Sequence, residues 1–455
     1  MRPSQKRGIS RRAVLRRTAA AALAGPLFKA TAGSVSAQST VNKFSAPSDL
    51  KITDMRACRV AANYDYPIIK IYTNQDVYGL GEVRDAGVEG IALILKAHIV
   101  GRNPLEIEGI LRRIRQFAGQ GRMGGGFSAV DIALHDIAGK VYGVPAWRLL
   151  GNKLRDKIRI YADTTEHKEP KVYAERMRKR QEMGFTFFKM DLHTELVNDK
   201  PGAVDYTGAA TDKGLEYLGE YIQAMRDVLG WETPLAADHF GRLTVDDAIR
   251  YAQSFEKFRL AWAEDFIAWR DWRGFKKITE SSTTPILVGE NSFGLEEGFH
   301  ELIDNRAVDF VHPDLLTSGG LLETKRIADY ANEAGIGCAM HMAGSPVGFY
   351  AGVHTSATLT NFVAMENHAL DMPWWQDLVD GVPKPIINAG HTAVPDKPGL
   401  GVELNDEALK EHLRIPGYFE PTPMYDEMIV SGFNPGGPWP HYDEEGNWCN
   451  CVTYQ

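Results

Sequence analysis

Three short stretches decide the fold: Leu235-Ala236-Ala237-Asp238, Ala261-Trp262-Ala263-Glu264 and Ile286-Leu287-Val288-Gly289-Glu290. Each is an apolar run closed by a carboxylate, and successive carboxylates stand 26 residues apart. Such runs read as buried strands, and the interval fits one βα unit. In a (β/α)8 barrel every strand delivers its last residue to the same rim. Asp238, Glu264 and Glu290 are therefore expected to converge and to hold a hard divalent cation, Mg2+ first, through oxygen ligands.

Working outward, the pattern from Ile158 repeats strand then helix, with strand ends expected at Asp163, Asp191, Asp238, Asp265, Glu290, Pro313, His341 and Glu366. Eight strands alternating with helices argue for a closed parallel barrel over an open sheet. Upstream, 55–61, 66–73 and 77–82 read as strands, 87–99 and 103–117 as helical, 121–126 as a Gly-rich hinge and 128–142 as an amphipathic helix. The expected fold is α/β, a TIM barrel over residues 151–370 with an N-terminal α+β capping domain over 38–150 and a C-terminal wrap over 371–455. The 46 residues between Asp191 and Asp238 exceed what the other units need, and the polar stretch 193–213 is the expected lid or substrate loop.

A chain of 455 residues exceeds what one core holds. Residues 1–37 hold eight of the 51 Lys and Arg and no acid, so 43 basic side chains face 59 acidic ones in the remainder. That excess of acid argues against nucleic acid as a partner. Ser10-Arg11-Arg12-Ala13-Val14-Leu15-Arg16 has the pattern of a twin-arginine export motif, and Val35-Ser36-Ala37 offers a small-residue cleavage site. The apolar stretch between them is too short and too rich in Ala and Gly to span a bilayer. Residues 1–37 thus read as a signal peptide rather than a basic amphipathic or RNA-binding arm, giving a periplasmic or otherwise exported protein with no membrane attachment after cleavage. Of four cysteines, Cys58 and Cys338 read as core, and Cys449 and Cys451 as a surface pair open to oxidation rather than a zinc site with His441.

The three acids, the helix Ser128-Ala129-Val130-Asp131-Ile132-Ala133-Leu134-His135-Asp136 and the turn Pro398-Gly399-Leu400-Gly401-Val402 together resemble the enolase superfamily, in its mandelate racemase/muconate lactonizing enzyme-like branch, across residues 51–405. The resemblance implies abstraction of a proton next to a carboxylate, with a cation stabilising the enediolate. It implies a base dyad of His341 and Asp314, the carboxylate fixing the imidazole tautomer. It places Glu366 where related enzymes hydrogen-bond the substrate carboxylate, with Lys189 as an electrophilic partner. Asp265 is expected to support the metal acids or face substrate, and Asn291 to orient Glu290.

One departure decides the subclass. Racemases of this branch carry Lys-x-Lys on the second strand, whereas this chain has Phe188-Lys189-Met190-Asp191. Sugar-acid dehydratases of the galactonate and mannonate type also lack the second lysine and use a histidine near the first metal acid. Galactonate-type sequences read Asp-x-His; here Asp238 is followed at once by His239. A one-residue shift in a strand flips the side chain to the other face, so either the strand end is bulged or His193 or Tyr206 replaces His239 as the acid. Asp191, His193, Tyr64 and Arg122 are the expected substrate contacts, with Tyr66 a further candidate for closing the pocket.

The reading is a Mg2+-dependent lyase converting an aldonate to its 2-keto-3-deoxy product, a homo-oligomer with a small-molecule sugar acid as its partner. An epimerase, racemase or cycloisomerase is the alternative, and an exported, inactive sugar-acid binding protein the alternative of another class. Mass spectrometry of the native protein should find a chain starting near Gln38 outside the cytoplasm; an intact N-terminus on cytoplasmic protein would refute export.

Overall fold

The computed structural model describes residues 49–430 except Arg242. The twin-arginine segment, its cleavage site, Cys449, Cys451 and His441 lie outside the described residues. Among the described residues no helix is long and apolar enough to cross a membrane.

The cap is an antiparallel sheet of β1 (Ile52–Val60), β2 (Tyr66–Thr73) and β3 (Tyr78–Glu82), crossed by the helix Gly125–Tyr142. Close approach is what the glycines of β3 provide. A Cβ at Gly79 or Gly81 would sit 2.0 Å from the carbonyl oxygen of Ala133 or Ala129, so no larger residue lets the helix lie on the strand. The helix turns almost every side chain into the core. Its Asp136 accepts hydrogen bonds from the backbone of Leu80 (3.0 Å) and Leu400 (2.8 Å), tying cap sheet and C-terminal segment together.

The expected hinge is not a hinge. Gly121–Gly124 forms a 3-10 turn and Gly125 opens the helix, three residues earlier than the sequence pattern placed it. A Cβ at Gly124 would meet the Thr317 carbonyl oxygen at 2.6 Å, and one at Gly126 the Ile91 oxygen at 2.0 Å. These glycines seat the helix against the barrel and the rest of the cap. The stretches read as helical at 87–99 and 103–117 form the short helices Gly90–Leu93, Lys96–Ile99 and Ile107–Ile114, followed by the 3-10 turn Arg115–Phe117.

The barrel strands are β4 (Lys157–Thr164), β5 (Phe188–Asp191), β6 (Leu235–Asp238), β7 (Ala263–Glu264), β8 (Ile286–Val288), β9 (Phe310–Val311), β10 (Gly337–Met340) and β11 (Phe362–Asn367). They pair in sequence order, and β11 closes on β4. Each strand, or the residue just before it, contributes to a dry interior layer: Tyr161, Phe187, Ala236, Trp262, Leu287, Ala339 and Ala364, with Phe310 packed beside them. Side chains alternate along a strand, so the residue two positions on faces the same interior. Those residues are Asp163, Lys189, Asp238, Glu264, His312, His341 and Glu366. A polar layer therefore lies directly on an apolar floor.

Beyond β11, the strand His391–Ala393 pairs antiparallel with β4, and Leu413 bridges Val60 of the cap. Cap and barrel also meet at Glu82, which ends β3. Its carboxylate accepts from Ser345 N (2.7 Å), Ser345 Oγ (2.5 Å) and Gly348 N (2.8 Å) at the start of the helix Pro346–Ser356. Burial pushes its pKa up to about 7 despite these donors. A native pKa above the unfolded one means the stabilisation is full below the unfolded pKa and is lost as pH rises through about 7. The stability of wild type relative to Glu82→Gln, from urea melts, should therefore fall by up to about 3 kcal/mol between pH 4.5 and pH 8; parallel pH profiles would show that Glu82 does not titrate there.

Candidate active site

His341 follows β10 and Asp314 follows β9, joined by an isolated parallel bridge. His341 Nδ1 bonds Asp314 Oδ2, leaving Nε2 as the open ring nitrogen, 3.1 Å from Glu290 Oε2 and 3.7 Å from Glu366 Oε2. Asp314 Oδ1 accepts from Leu316 N at 2.6 Å. Burial opposes ionisation of Asp314, but Arg84 and His341 hold its pKa below the ordinary carboxylate value. Arg84 reaches this point from the cap, 3.1 Å from Asp314 Oδ2.

Lys189 on β5 is wholly buried. Its ammonium lies 2.6 Å from Glu366, 2.9 Å from Asp238 and 3.7 Å from Glu264. Burial alone would depress its pKa; the three carboxylates hold it well above the ordinary lysine value. Glu366 is also fully buried, and against its burial Lys189, His368 and His312 hold it well below the ordinary value. Glu366 and Lys189, read as partners for the substrate carboxylate, are paired with each other at 2.6 Å beneath the pocket.

The pocket above measures about 550 Å³ and is lined by Tyr64, Asp191, His193, Asp238, His239, Asp265 and Glu290 among others. His239 resolves the ambiguity of its shifted position. β6 ends at Asp238, and His239 takes a left-handed φ of +56°, so the strand rule no longer directs its side chain. Its ring is 57% exposed to the pocket, with Nδ1 2.9 Å from Asp191 Oδ1 and 3.4 Å from Asp238 Oδ2. Asp238 first, and then the bond to Asp191, push the His239 pKa up to about 10.

Gly289 does the same for Glu290. The inward position on β8 is 289, and its φ of +145° lets the next residue enter the site. Equal sequence spacing thus did not mean equal orientation among the three acids. Glu290 is instead held by His341, Arg84 and Arg122, the last at 3.8 Å. Arg122 also donates to Asn291 Oδ1 at 3.0 Å.

Tyr64 packs edge-on against the ring of His368, and His193 pairs with Glu195 at 3.0 Å. Tyr66 belongs to the core and Tyr206 is 99% exposed, so neither meets the pocket. Asp265 and His341, read as strand ends, stand one residue past their strands, and Glu290 and Pro313 two. Sequence reasoning missed Arg84, His312, Asp163 and His368. The last three follow from counting two or four residues beyond the interior layer. His368 lies 3.2 Å from Asp163 and 3.1 Å from Glu366, and against burial these acids hold its pKa well above the ordinary histidine value.

The donor set fits a hard cation. Asp238, Glu264 and Glu290 supply carboxylate oxygens at the ends of three adjacent strands, and beside them Asp265 Oδ1 is buried without a hydrogen-bond partner, while Glu264 Oε1 has only His312 Nε2 at 3.1 Å. Burial and repulsion from Glu290, Glu264 and Asp238 raise the Asp265 pKa well above the usual range, the mark of carboxylates crowded without compensation. Among the described residues, three groupings of ligand-type side chains have one atom per residue mutually within 4.8 Å: Asp191–Asp238–His239, Asp85–Asp314–His341 and His341–Glu366–His368. In the expected trio, Lys189 lies between Asp238 (2.9 Å) and Glu264 (3.7 Å).

A capped (β/α)8 barrel whose rim sets a buried His–Asp pair among carboxylates defines a class of enzyme that works on carbon acids. A family model for the mandelate racemase / muconate lactonizing enzyme N-terminal domain matches residues 40–151, and one described as enolase C-terminal domain-like matches 172–408. The chain belongs to the enolase superfamily, in that branch, and is an enzyme. It is 34% identical to a D-xylonate dehydratase of Haloferax volcanii, over 80% of this chain and 89% of that one. It is 30% identical to a D-galactonate dehydratase family member of Musicola paradisiaca, over 80% and 94%. Among solved structures, a mandelate racemase/muconate lactonizing enzyme-like protein from Rubrobacter xylanophilus superposes with a TM-score of 0.76 at 32% identity, covering 82% of this chain and 99% of that one. An enolase from Pantoea ananatis with bound D-gluconate and Mg gives 0.72 at 26% identity, covering 81% and 96%.

Removing one member of a buried ion cluster leaves uncompensated charge. Lys189→Met should cost about 3–5 kcal/mol in chelated buffer, and added Mg2+ should recover part of that loss. A stability deficit unchanged by Mg2+ would count against these acids as cation ligands.

Proposed function

We propose that this enzyme is a Mg2+-dependent hydro-lyase that removes water from an aldonic or related sugar acid to give the 2-keto-3-deoxy acid. The observation that carries the reading is a pair of His–Asp couples facing each other across one pocket. His341 with Asp314 stands at β10 and β9, and His239 with Asp191 at β6 and β5. In a closed ring of eight strands, β6 and β10 are four apart, diametrically opposed. One couple is buried, its histidine committed through Nδ1 to a carboxylate; the other is open to the pocket, its histidine bonded to Asp191 at 2.9 Å.

That asymmetry suits β-elimination. His341 Nε2 takes the proton α to the substrate carboxylate, and Asp314 stabilises the imidazolium that forms. His239 gives its proton to the β-hydroxyl, the C–O bond breaks, and water leaves. The resulting enol tautomerises to the 2-keto acid. Asp238, Glu264 and Glu290 are the residues that would hold Mg2+, which when bound supplies charge compensation to the enediolate oxygens. Lys189 and Glu366 act from below the pocket, setting the field on Asp238 and Glu264, while Tyr64, His193 and Arg122 stand at its edge as substrate contacts. Asp191 on the second strand, in place of the second lysine of the racemases, leaves no second base opposite His341.

The D-xylonate and D-galactonate-family relatives and the gluconate-bound neighbour support the aldonate class. The paired arginines near the N-terminus support an exported enzyme.

A screen of acid sugars with Mg2+ for 2-keto acid formation tests the reading. In deuterated water the active substrate should yield a 2-keto-3-deoxy acid, with recovered substrate never appearing as its α-epimer. His341→Asn should abolish turnover and α-proton exchange, Asp191→Asn should leave exchange measurable, and Glu290→Gln should abolish activity while the protein stays folded. An α-epimer as main product, or exchange surviving loss of His341, would make it an epimerase working from the Lys189 side.

A further inference from the structure

Arg84 stands outside every barrel strand, in the segment that follows β3 of the cap, yet its side chain is only 1% exposed and its guanidinium lies beside the dyad. Nη1 donates to the Glu290 carbonyl oxygen at 2.7 Å and to Thr317 Oγ1 at 3.2 Å, and lies 3.1 Å from Asp314 Oδ2. Nη2 reaches Glu290 Oε1 at 3.4 Å, and Nε lies 2.5 Å from Asp85 Oδ1. Asp314 has its other oxygen fixed by Leu316 N at 2.6 Å. Its Oδ2 is thus shared between the His341 ring and Arg84.

We propose that Arg84 is a positioning residue for proton abstraction: the cap-borne guanidinium fixes the rotation of the Asp314 carboxylate, through it the tautomer and aim of His341, and at the same time anchors the backbone at Glu290. The inference rests on the dehydratase reading for its kinetic consequence, though the contact itself does not. Without the arginine, Asp314 Oδ2 keeps only the histidine, and the carboxylate and imidazole lose the one fixed cationic donor that sets their common orientation. The planar fork matters because Asp85, Glu290 and Asp314 lie in three directions. A lysine ammonium keeps the charge but is a point donor on a flexible stem and cannot span all three. The base is therefore assembled from both domains, since its orientation depends on a residue that the barrel sequence does not contain.

The test uses the full-length, Mg2+-loaded enzyme with Arg84→Lys and Arg84→Gln. Arg115→Ala serves as control: Arg115 links cap to barrel through Glu297 (2.7 Å) and Glu323 (3.0 Å), away from the pocket. Three quantities are read: kcat and KM on a sugar acid that wild type dehydrates, α-proton exchange, and the downfield NMR signal of the His341 Nδ1 proton. Misplacing a base by about an ångström costs on the order of 100-fold. Arg84→Lys should lower kcat and exchange together by about that factor with KM within about threefold, and should move or erase the Nδ1 signal. Arg115→Ala should lower Tm and leave kcat and the signal as in wild type. Arg84→Lys with wild-type kcat and signal, or with the same Tm-only effect as Arg115→Ala, overturns the proposal while the dehydratase reading stands. Should Arg84→Gln not fold, Arg84→Lys decides. If wild type turns over no sugar acid, the functional reading falls and the Nδ1 signal alone judges Arg84: unchanged in Arg84→Lys, it refutes the positioning role; moved or lost, it supports it.

Discussion

Ionised side chains stacked on a dry barrel floor are the constraint from which the rest of this structure follows. Tyr161, Phe187, Trp262 and Leu287 exclude water from below, and two residues further on, every strand but β8, where Gly289 stands, places a group that is charged or can become so. Burying an unpaired charge is prohibitive, so the layer has to neutralise itself. Lys189 does this for Asp238, Glu264 and Glu366, and His312 sits 3.1 Å from the far oxygen of Glu264. The balance is incomplete, as the partnerless Oδ1 of Asp265 shows. In a folded core that shortfall would be a defect; at the mouth of a pocket it is capacity for a cation.

The cap is part of the same electrostatic system. Glu82 ends β3 against the helix that follows the His341 segment, and Arg84, two residues later, meets Asp314 and Glu290. Such reach requires the cap backbone to lie very close to its neighbours, which the glycines of β3 and of 124–126 allow. A small shift of the cap would therefore be felt at the dyad.

Two departures of the sequence from the racemase pattern turn out to be one arrangement. Asp191 stands where the second lysine would be, and His239 follows Asp238 without the intervening residue. In space they bond each other at 2.9 Å. A lysine at 191 would repel a protonated His239, whereas an aspartate stabilises it, so changing the residue on the second strand and keeping a proton donor beside the third are coupled by charge. Each side of the pocket then has a histidine paired to an aspartate from the preceding strand, one buried and one wet.

By itself the sequence determined the barrel, because strand runs closed by acids at one βα interval admit few other folds, and it located the acids and the His341–Asp314 pair at the end of their strands or within three residues of it. Alternation along a strand is a local rule, legible wherever the backbone is regular, and Lys189, Asp238, Glu264 and Glu366 obey it. Only the tertiary structure decided the rest. Glu290 and His239 enter the site through left-handed backbone at Gly289 and at His239 itself, which no periodicity announces. That Glu366 and Lys189 are buried and paired with each other is likewise a tertiary fact, because burial depends on what packs above. Arg84 carries no barrel signal at all: its partner Asp314 is 230 residues away in the chain, and only the docking of cap on barrel brings the two charges within reach.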